Sequence, residues 1–144
     1  MLVKQVSVFL ENKLGRLAEV SRILGENNID IKALSIADTT EYGILRIIVN
    51  NPEQTVEILK NNGFSVKTNN VIAVSVPDRP GGLFETLECL HRNNIGIEYM
   101  YAFIGNIEKG KAMVILRVEE YNKAVELLQK AGIEIIDSAK IYSL

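Results

Sequence analysis

The sequence predicts an α+β fold made of two tandem ferredoxin-like βαββαβ domains, each with an antiparallel four-stranded sheet and both helices on one face. Three observations predict it. The two halves of the 144-residue chain align with each other. Segments with period-two alternation and segments with helical spacing follow one another in the same order in both halves. The composition, 47% hydrophobic and 24% charged, is that of a chain that buries a core.

The internal repeat has two offsets. Asn27-Asn28-Ile29 matches Asn93-Asn94-Ile95 at an offset of 66, whereas Gly63 matches Gly132 at an offset of 69. Three residues are therefore inserted in the second half, and residues 105–111 are the expected place because exposed hairpin loops tolerate insertions. We expect the first domain to span residues 1–70 and the second residues 71–144.

The first half reads as strand, helix, two strands, helix and strand. Val6, Val8 and Leu10 alternate with Gln5, Ser7 and Phe9, as in a strand with one buried face. The later elements of this half are predicted, in order, as a helix with Leu17, Val20, Ile23 and Leu24 on its buried face, strands at residues 29–36 and 44–49, a helix carrying Val56 and Leu59, and a short strand at residues 65–67.

The second half has the same order. Its predicted elements are a strand at residues 72–76, a helix with Leu83, Leu87 and Leu90 on one face, strands at residues 97–103 and 112–118, a helix carrying Tyr121, Val125 and Leu128, and a strand at residues 133–136. Ile141 falls 69 residues after Ile72. We therefore expect residues 140–144 to add a further edge strand.

Charge and hydropathy exclude several classes of function. The net charge is −2 and the sixteen basic residues are scattered, which disfavours binding to nucleic acid or to an anionic membrane. No apolar stretch reaches the ~18 residues of a membrane-spanning helix. A single cysteine, Cys89, and an N-terminal segment unlike a secretory leader predict a cytoplasmic protein.

The connections from first strand to first helix, residues 11–17 and 77–83, are the most informative segments. Each contains an Asx residue, Asn12 or Asp78, followed by a glycine at the helix entrance. An Asx side chain there can cap backbone amides, and the positive end of the helix dipole suits a ligand carboxylate. The alternative interpretation is an ordinary capped turn without a ligand.

With these loops the sequence resembles the ACT-domain family, whose first strand leads into an Asn/Asp-x-x-Gly-x-Leu loop and whose first helix ends in a polar-Asn-x-Ile run. The segment Asp78-Arg79-Pro80-Gly81-Gly82-Leu83 is the closer match. Leu14 departs from the pattern because the family often has proline there, and the departure concerns loop rigidity. The resemblance covers the whole chain twice.

The resemblance implies that the domains pair and that small ligands, usually amino acids, bind at the seam between them. Carried over by position, the expected loop contributors are Asn12, Leu14, Gly15, Arg16 and Leu17 in the first half and Asp78, Pro80, Gly81, Gly82 and Leu83 in the second. The expected second-strand contributors are Asp30 and Ile31, or Gly96 and Ile97.

On this interpretation each site takes a loop and a strand from opposite halves, so the two sites differ. One would pair Asp78 with Asp30 and the other Asn12 with Gly96. The site with both aspartates is the better candidate for an amino acid, because a carboxylate gives a charge-assisted hydrogen bond to an ammonium group. The alternative is that both aspartates are solvated surface residues.

No residue pattern predicts catalysis, a metal or a cofactor. His91 is the single histidine, and no second ligand stands at metal-binding spacing. Cys89 is expected to be a small buried group rather than a nucleophile. Tyr99, Tyr101 and Phe103 share one face of a predicted strand, where sheet packing is expected and ligand stacking is the alternative.

The sequence therefore predicts a regulatory amino-acid sensor, not an enzyme, that forms at least a homodimer. Two alternatives remain open at this point. A small metabolic enzyme on the same scaffold would need catalytic groups converging from both halves, since ferredoxin-like folds host many functions. A protein-interaction adaptor would use its sheet edges and bind no small molecule.

Overall fold

A computed structural model describes residues 2–38, 41–104 and 108–144. These residues form seven strands and five helices. The elements are β1 (Val3–Glu11), α1 (Arg16–Glu26), β2 (Ile31–Asp38), β3 (Tyr42–Val49), α2 (Pro52–Asn61), β4 (Ser65–Pro77), α3 (Gly82–Arg92), β5 (Ile97–Ala102), β6 (Lys111–Val118), α4 (Tyr121–Lys130), β7 (Glu134–Ile135) and α5 (Ser138–Tyr142). The insertion predicted at residues 105–111 lies partly outside the described residues.

The chain divides into two compact units. We call residues 4–69 the N-terminal unit and residues 70–142 the C-terminal unit. Each has the order βαββαβ and an antiparallel sheet, which confirms the predicted pair of ferredoxin-like domains. The division falls inside β4. The boundary that the sequence places between residues 70 and 71 stays a prediction.

In the N-terminal unit the strand order is β2-β3-β1, with β4 next to β1. The register pairs Leu10 of β1 with Gly43 at the start of β3, and Ile31 of β2 with Val49 at the end of β3. The core combines residues from β1, β3, β4, α1, α2 and the turns that follow the two helices, among them Val8, Leu24 and Ile47. Helix α1 turns Val20, Ile23 and Leu24 inward.

The C-terminal unit has the equivalent order, with β6 between β5 and β4 and with β7 on the other side of β4. Ile72 pairs with Leu116, and Ser75 pairs with Glu134. Its core contains Val74, Leu90, Leu116 and Leu128. The strand–helix turns of both units therefore rest on well-packed sheets.

Several local predictions were wrong. The segment at residues 140–144 does not form an edge strand, because Ser138–Tyr142 is a short helix that buries Ile141. The strands predicted at residues 65–67 and 72–76 are one continuous strand, β4. Leu17, predicted on the buried face of α1, is 45% exposed because it lies at the helix entrance before that face meets the core.

The alternation predicted for β1 is also incomplete, since Gln5 and Ser7 are buried on the face opposite Val6 and Val8. Their polar groups have partners, as buried polar groups require. Gln5 Nε2 donates to Ser7 Oγ at 3.2 Å, and Ser7 Oγ donates to Asn69 Oδ1 at 3.2 Å. The middle of β1 is therefore covered on both faces.

Candidate ligand-binding site

Both helix entrances have the same backbone. Gly15 before α1 has φ 87° and ψ −5°, and Gly81 before α3 has φ 83° and ψ −5°. These are left-handed conformations, which glycine adopts without a Cβ penalty. Neither Asn12 nor Asp78 is the N-cap residue, because glycine itself occupies the N-cap position of both helices.

The turns leave few backbone donors available to a ligand. The first helical amides are already used, since Arg16 N–H donates to Lys13 O at 3.3 Å and Gly82 N–H donates to Arg79 O at 2.9 Å. The amides one residue further on, of Leu17 and Leu83, lie in the first helical turn, where no intrahelical acceptor exists. A ligand carboxylate would therefore meet Leu83 N–H rather than the amide of Gly82.

A cleft of about 190 Å³ opens beside the entrance of α1. It brings together three predicted loop residues, Asn12, Arg16 and Leu17, while Leu14 projects fully into solvent. Its other lining residues are Leu10, Glu11, Lys13, Ile36, Asp38 and Gly43. At its rim Lys13 Nζ lies 2.8 Å from Glu11 Oε2, and this hydrogen bond lowers the pKa of Glu11.

A second cleft, of about 230 Å³, lies in the C-terminal unit between the start of α3, the end of β4 and the turn after α4. Of the predicted site residues it includes only Gly82; Asp78, Pro80 and Gly81 are exposed on the turn and Leu83 is half-buried. The residues that sequence reasoning missed are Glu85, Thr86, Lys111 and Glu134. The sequence did contain one signal for this cleft. The internal repeat aligns Gly82 with Arg16, so the C-terminal unit lacks a long side chain at this position.

The second-strand residues lie at the other end of each sheet. In the N-terminal unit Asp30 O accepts from Asn50 N–H at 3.2 Å, just beyond the end of β3, whereas the entrance loop adjoins the start of β3. The eight residues of β3 separate the two by roughly 24 Å at ~3.4 Å per residue. The structure therefore does not bring Asp30 or Ile31 to the loop of their own unit.

The C-terminal unit repeats this arrangement. Gly96 O accepts from Glu119 N–H at 3.2 Å beyond the end of β6, while Asp78 N–H donates to Gly110 O at 2.9 Å just before β6 begins. Gly96 and Ile97 are half-buried. A side chain at Gly96 would meet the Glu119 carboxylate within 2.9 Å. Close packing on Glu119 is thus a structural reason for this glycine.

Asp30 already has a partner. Lys32 Nζ lies 2.6 Å from Asp30 Oδ2, and the Lys32 side chain is 11% exposed while that of Asp30 is 67% exposed. The Asp30 carboxylate is thus held at the surface with room for a second contact. Its amide N–H donates to Asn50 Oδ1 at 3.0 Å, which fixes the start of β2.

The comparisons identify the family. The family model described as an ACT domain pair matches residues 1–144. The chain belongs to the ACT domain pair family. Protein BT0572 from Bacteroides thetaiotaomicron is 39% identical to this ACT domain pair, with a TM-score of 0.93 over 100% of this chain and 98% of that one. No curated protein matches the sequence.

Two solved regulatory subunits of aspartate kinase share the fold of this ACT domain pair. The subunit from Thermus thermophilus, in a ligand-free form, is 15% identical with a TM-score of 0.66, over 90% of this chain and 92% of that one. The subunit from Thermus flavus is 13% identical with a TM-score of 0.62, over 91% of this chain and 94% of that one. At such identities the likeness concerns the fold alone.

The other residues considered in the sequence for a functional role are His91, Cys89 and the tyrosines of β5. His91 is exposed in the last turn of α3, and the Cys89 thiol is half-buried with Sγ 3.7 Å from Leu127 O. Tyr99 and Tyr101 stack along β5 with ring centroids 6.5 Å apart. Within residues 2–38, 41–104 and 108–144 no group of His, Cys, Asp or Glu could hold a metal ion. No helix in this part is long and apolar enough to cross a membrane.

Proposed function

We propose that this ACT domain pair is a regulatory protein that binds an amino acid and catalyses no reaction itself. The observation that carries the proposal is the duplicated helix entrance, in which Gly15 and Gly81 have the same left-handed backbone without a side-chain cap. Such an entrance presents the remaining first-turn amide, that of Leu17 or Leu83, and the positive helix end to a carboxylate. Membership of the ACT domain pair family supports a regulatory role.

The proposed site takes an entrance loop from one ACT domain and a second-strand start from another. Within one unit these segments lie at opposite ends of the sheet, so a single unit cannot supply both. The ligand carboxylate would bind Leu83 N–H, and its ammonium group would bind Asp30 and Asp78. In the other site neither Asn12 nor Gly96 supplies a carboxylate, so it is expected to bind an amino acid more weakly.

Ligand binding would act allosterically by favouring the arrangement of domains in which both segments contact the ligand. A ligand shifts such an equilibrium only through its different affinity for the two arrangements. The output would be read by a separate protein. The regulatory subunits of aspartate kinase, which share this fold, are a precedent for a regulatory protein of this kind.

A thermal-shift screen of the twenty amino acids tests this function. A ligand at 100 times its dissociation constant stabilises the folded state by ~2.7 kcal/mol, which gives a clear rise in Tm. We expect one or a few chemically related amino acids to raise Tm, and N-acetylated or amidated forms of the same compounds to have no effect. A panel without any shift would contradict the sensor and favour the adaptor. Turnover of the binding amino acid would favour the enzyme.

We also propose that the protein works in the cytoplasm as at least a homodimer. Strands β2 and β5 are outermost in the strand order of the described residues, and Leu34 and Ile36 on β2 are 40% and 42% exposed. Association buries such edges and apolar side chains. A single free thiol suits a reducing compartment. A monomeric mass by light scattering at high micromolar concentration would contradict the dimer.

A further inference from the structure

The two units differ sharply at one place where their backbones correspond. In the N-terminal unit the Arg16 guanidinium carbon lies 4.6 Å from the centroid of the Phe64 ring. Arg16 Nη1 also donates to Glu19 Oε2 at 3.0 Å. A long cationic side chain therefore fills the space between the start of α1 and the turn after α2.

In the C-terminal unit the corresponding space is the open cleft of about 230 Å³. Its walls come from the start of α3 and the turn after α4, the counterparts of the elements that hold Arg16. The repeat places Gly82, Glu85, Thr86, Gly132 and Ile133 where the N-terminal unit has Arg16, Glu19, Val20, Gly63 and Phe64. Glu85 thus keeps the carboxylate of Glu19, whereas Gly82 lacks the cationic side chain of Arg16.

The chain cannot fill this cleft from Gly82. A Cβ at Gly82 would collide with the carbonyl oxygen of Pro77. Arg79, on the preceding turn, reaches the cleft rim, where its Nη2 lies 3.4 Å from Glu85 Oε1. Both side chains are largely exposed, and an exposed ion pair of this length contributes little free energy. Glu85 is thus available to a second cation.

Thr86 provides an independent indication of a ligand. Its side chain lines the cleft, and the residue is only 2% exposed. Nowhere in the described part of the chain does its hydroxyl have a hydrogen-bond partner, whereas Thr55, the other buried threonine, donates to Asn51 O at 2.8 Å. Among the described residues the fully buried polar side-chain atom without a partner is Arg16 Nε, so the Thr86 hydroxyl oxygen is instead accessible from the cleft that the residue lines. A donor from a ligand in the cleft would satisfy it.

The electrostatics of the cleft favour a cation. The carboxyl end of α4, a ten-residue helix, points its last carbonyls toward the turn at Ala131 and Gly132, which carries the negative end of the helix dipole. Glu85, Glu134 and Lys111 line the cleft, and the Lys111 ammonium is paired with the carboxylates of Glu134 and Glu108 at 3.1 and 3.3 Å, which leaves the Glu85 carboxylate for a ligand cation. Ile133 gives a half-buried apolar wall against which a planar cation can lie.

We propose that this cleft binds a small organic cation with a guanidinium group, in the place that Arg16 occupies in the N-terminal unit. The guanidinium would donate to Glu85 and to the Thr86 hydroxyl, and its planar fork suits the carboxylate better than an ammonium group does. The site uses neither Asp30 nor the amide of Leu83. It is therefore independent of the amino-acid site proposed above.

Agmatine is the probe, because it carries a guanidinium but no carboxylate and so cannot occupy a carboxylate-binding entrance. Titration of the full-length protein by calorimetry and by ¹H–¹⁵N correlation spectra should show saturable binding, with shifts confined to the amides of Gly82, Thr86, Gly132, Ile133 and their neighbours. Putrescine, with two ammonium groups, should bind more weakly. Equal binding of putrescine would overturn the assignment of a guanidinium site.

Substitutions place the binding at the cleft. Glu85→Gln should weaken agmatine binding about tenfold or more through loss of a charge-assisted contact. Thr86→Val, which installs the residue of the other unit, should weaken it while leaving the fold intact. Arg79→Ala should strengthen it by freeing Glu85. The matched control is Glu19→Gln, which should leave agmatine affinity unchanged.

Several results would overturn the proposal. One is an absence of saturable shifts up to about 10 mM agmatine, a concentration that would detect even a weak site. Another is an affinity that Glu85→Gln leaves unchanged. A third is an equal loss in Glu19→Gln, which would indicate nonspecific attraction to the negative surface.

Discussion

Asn28 and Asn94, which lie 66 residues apart in the sequence, are the two described non-glycine residues with a left-handed backbone, at φ 57° and 55°. Each follows an asparagine whose side-chain Nδ2 donates to a carbonyl of the helix end, at 2.8 Å for Asn27 and 2.7 Å for Asn93. Asparagine tolerates this conformation better than other residues with a Cβ. The Asn-Asn pair therefore makes the same tight reversal into the second strand of both units.

Substitution of Asn94 should depend on backbone conformation rather than on lost contacts. Asn94→Val should lower the free energy of unfolding by about 1–2 kcal/mol, because a β-branched residue is strained at positive φ. Asn94→Gly should be close to neutral. Urea unfolding of both variants, and of the matched pair at Asn28, measures this. Equal stabilities of the Val and Gly variants would show that φ is not the cause.

The repeat is the part of the fold that the sequence predicted best, because Asn27-Asn28-Ile29 and Asn93-Asn94-Ile95 make the same bonds. Ile29 N–H donates to Leu24 O at 2.9 Å and Ile95 N–H donates to Leu90 O at 3.0 Å. The helix caps were mispredicted because residue type alone does not tell which position of a turn is the cap. Glycine at the left-handed position moved the Asx residues outside the cap.

Gly81 allows a test of the proposed amino-acid site, although not by a bulky substitution. Gly81→Val would block a ligand, yet at φ 83° it would also strain the turn and lower stability. Gly81→Asn suits the left-handed backbone, and the space around a Cβ is open. The substitution should weaken amino-acid binding clearly while changing Tm only slightly. Calorimetry beside thermal melts checks this, with Gly15→Asn as control for the weaker site.

Asp30→Asn should weaken amino-acid binding by about tenfold or more, since it removes a charge-assisted contact to the ammonium group. The same change removes the charge from the ion pair between Asp30 Oδ2 and the nearly buried Lys32 Nζ, 2.6 Å apart, so stability should also fall, by about 1 kcal/mol or less. Combined with Gly81→Asn, the losses in affinity should be non-additive if both act at one site. Strictly additive losses in calorimetry would contradict the crossed pairing of Asp30 with Asp78.

The ion pair between Lys111 and Glu134 predicts a pH dependence. The hydrogen bond from Lys111 lowers the pKa of Glu134 below 4.5, and the hydrogen bond to Glu134 raises the pKa of Lys111 above 10.5. The stabilisation from Glu134 is therefore present above its unfolded pKa and lost as pH falls through the lower folded value. That from Lys111 is present below its unfolded pKa and lost as pH rises through the higher folded value.

Lys111→Met should accordingly lower Tm slightly between about pH 5 and pH 10, and the difference from the wild type should vanish in acid below the folded pKa of Glu134. Lys109→Met, with the same change in net charge, is the control. Thermal melts across this range measure the effect. A Tm difference that persists unchanged at pH 2 would indicate lost packing rather than a lost ion pair.

Little of the C-terminal cleft could be predicted from periodicity, because its walls come from segments far apart in sequence. Gly82 was predicted as a ligand contact, yet its amide donates to Arg79 O, and its effect on the cleft is the absence of a side chain. Thr86 occupies a helical position that the repeat assigns to the core, where Val20 stands in the other unit. Only packing shows that its hydroxyl lacks a partner.

Arg16 provides the reciprocal prediction for the N-terminal unit. The contact of its guanidinium with the Phe64 ring and its ion pair with Glu19 stabilise the fold. Its Nε, which is buried without a hydrogen-bond partner among the described residues, destabilises it. Arg16→Met keeps the aliphatic packing and removes both effects, so its stability should lie within about 0.5 kcal/mol of the wild type. Arg16→Ala also loses the packing and should be less stable by about 1–2 kcal/mol.

Urea unfolding of both variants checks this order, and a double-mutant cycle with Phe64→Leu isolates the ring contact, for which we expect a coupling of about 0.5–1 kcal/mol. Arg16→Ala also empties the space next to Glu19 and so creates in the N-terminal unit a likeness of the C-terminal cleft. Val20 still stands there in place of Thr86. Agmatine should therefore bind this new cavity more weakly than the natural one, and Arg16→Ala/Val20→Thr should recover part of the difference. Tighter binding to the single variant than to the natural cleft would show that the Thr86 hydroxyl does not contribute.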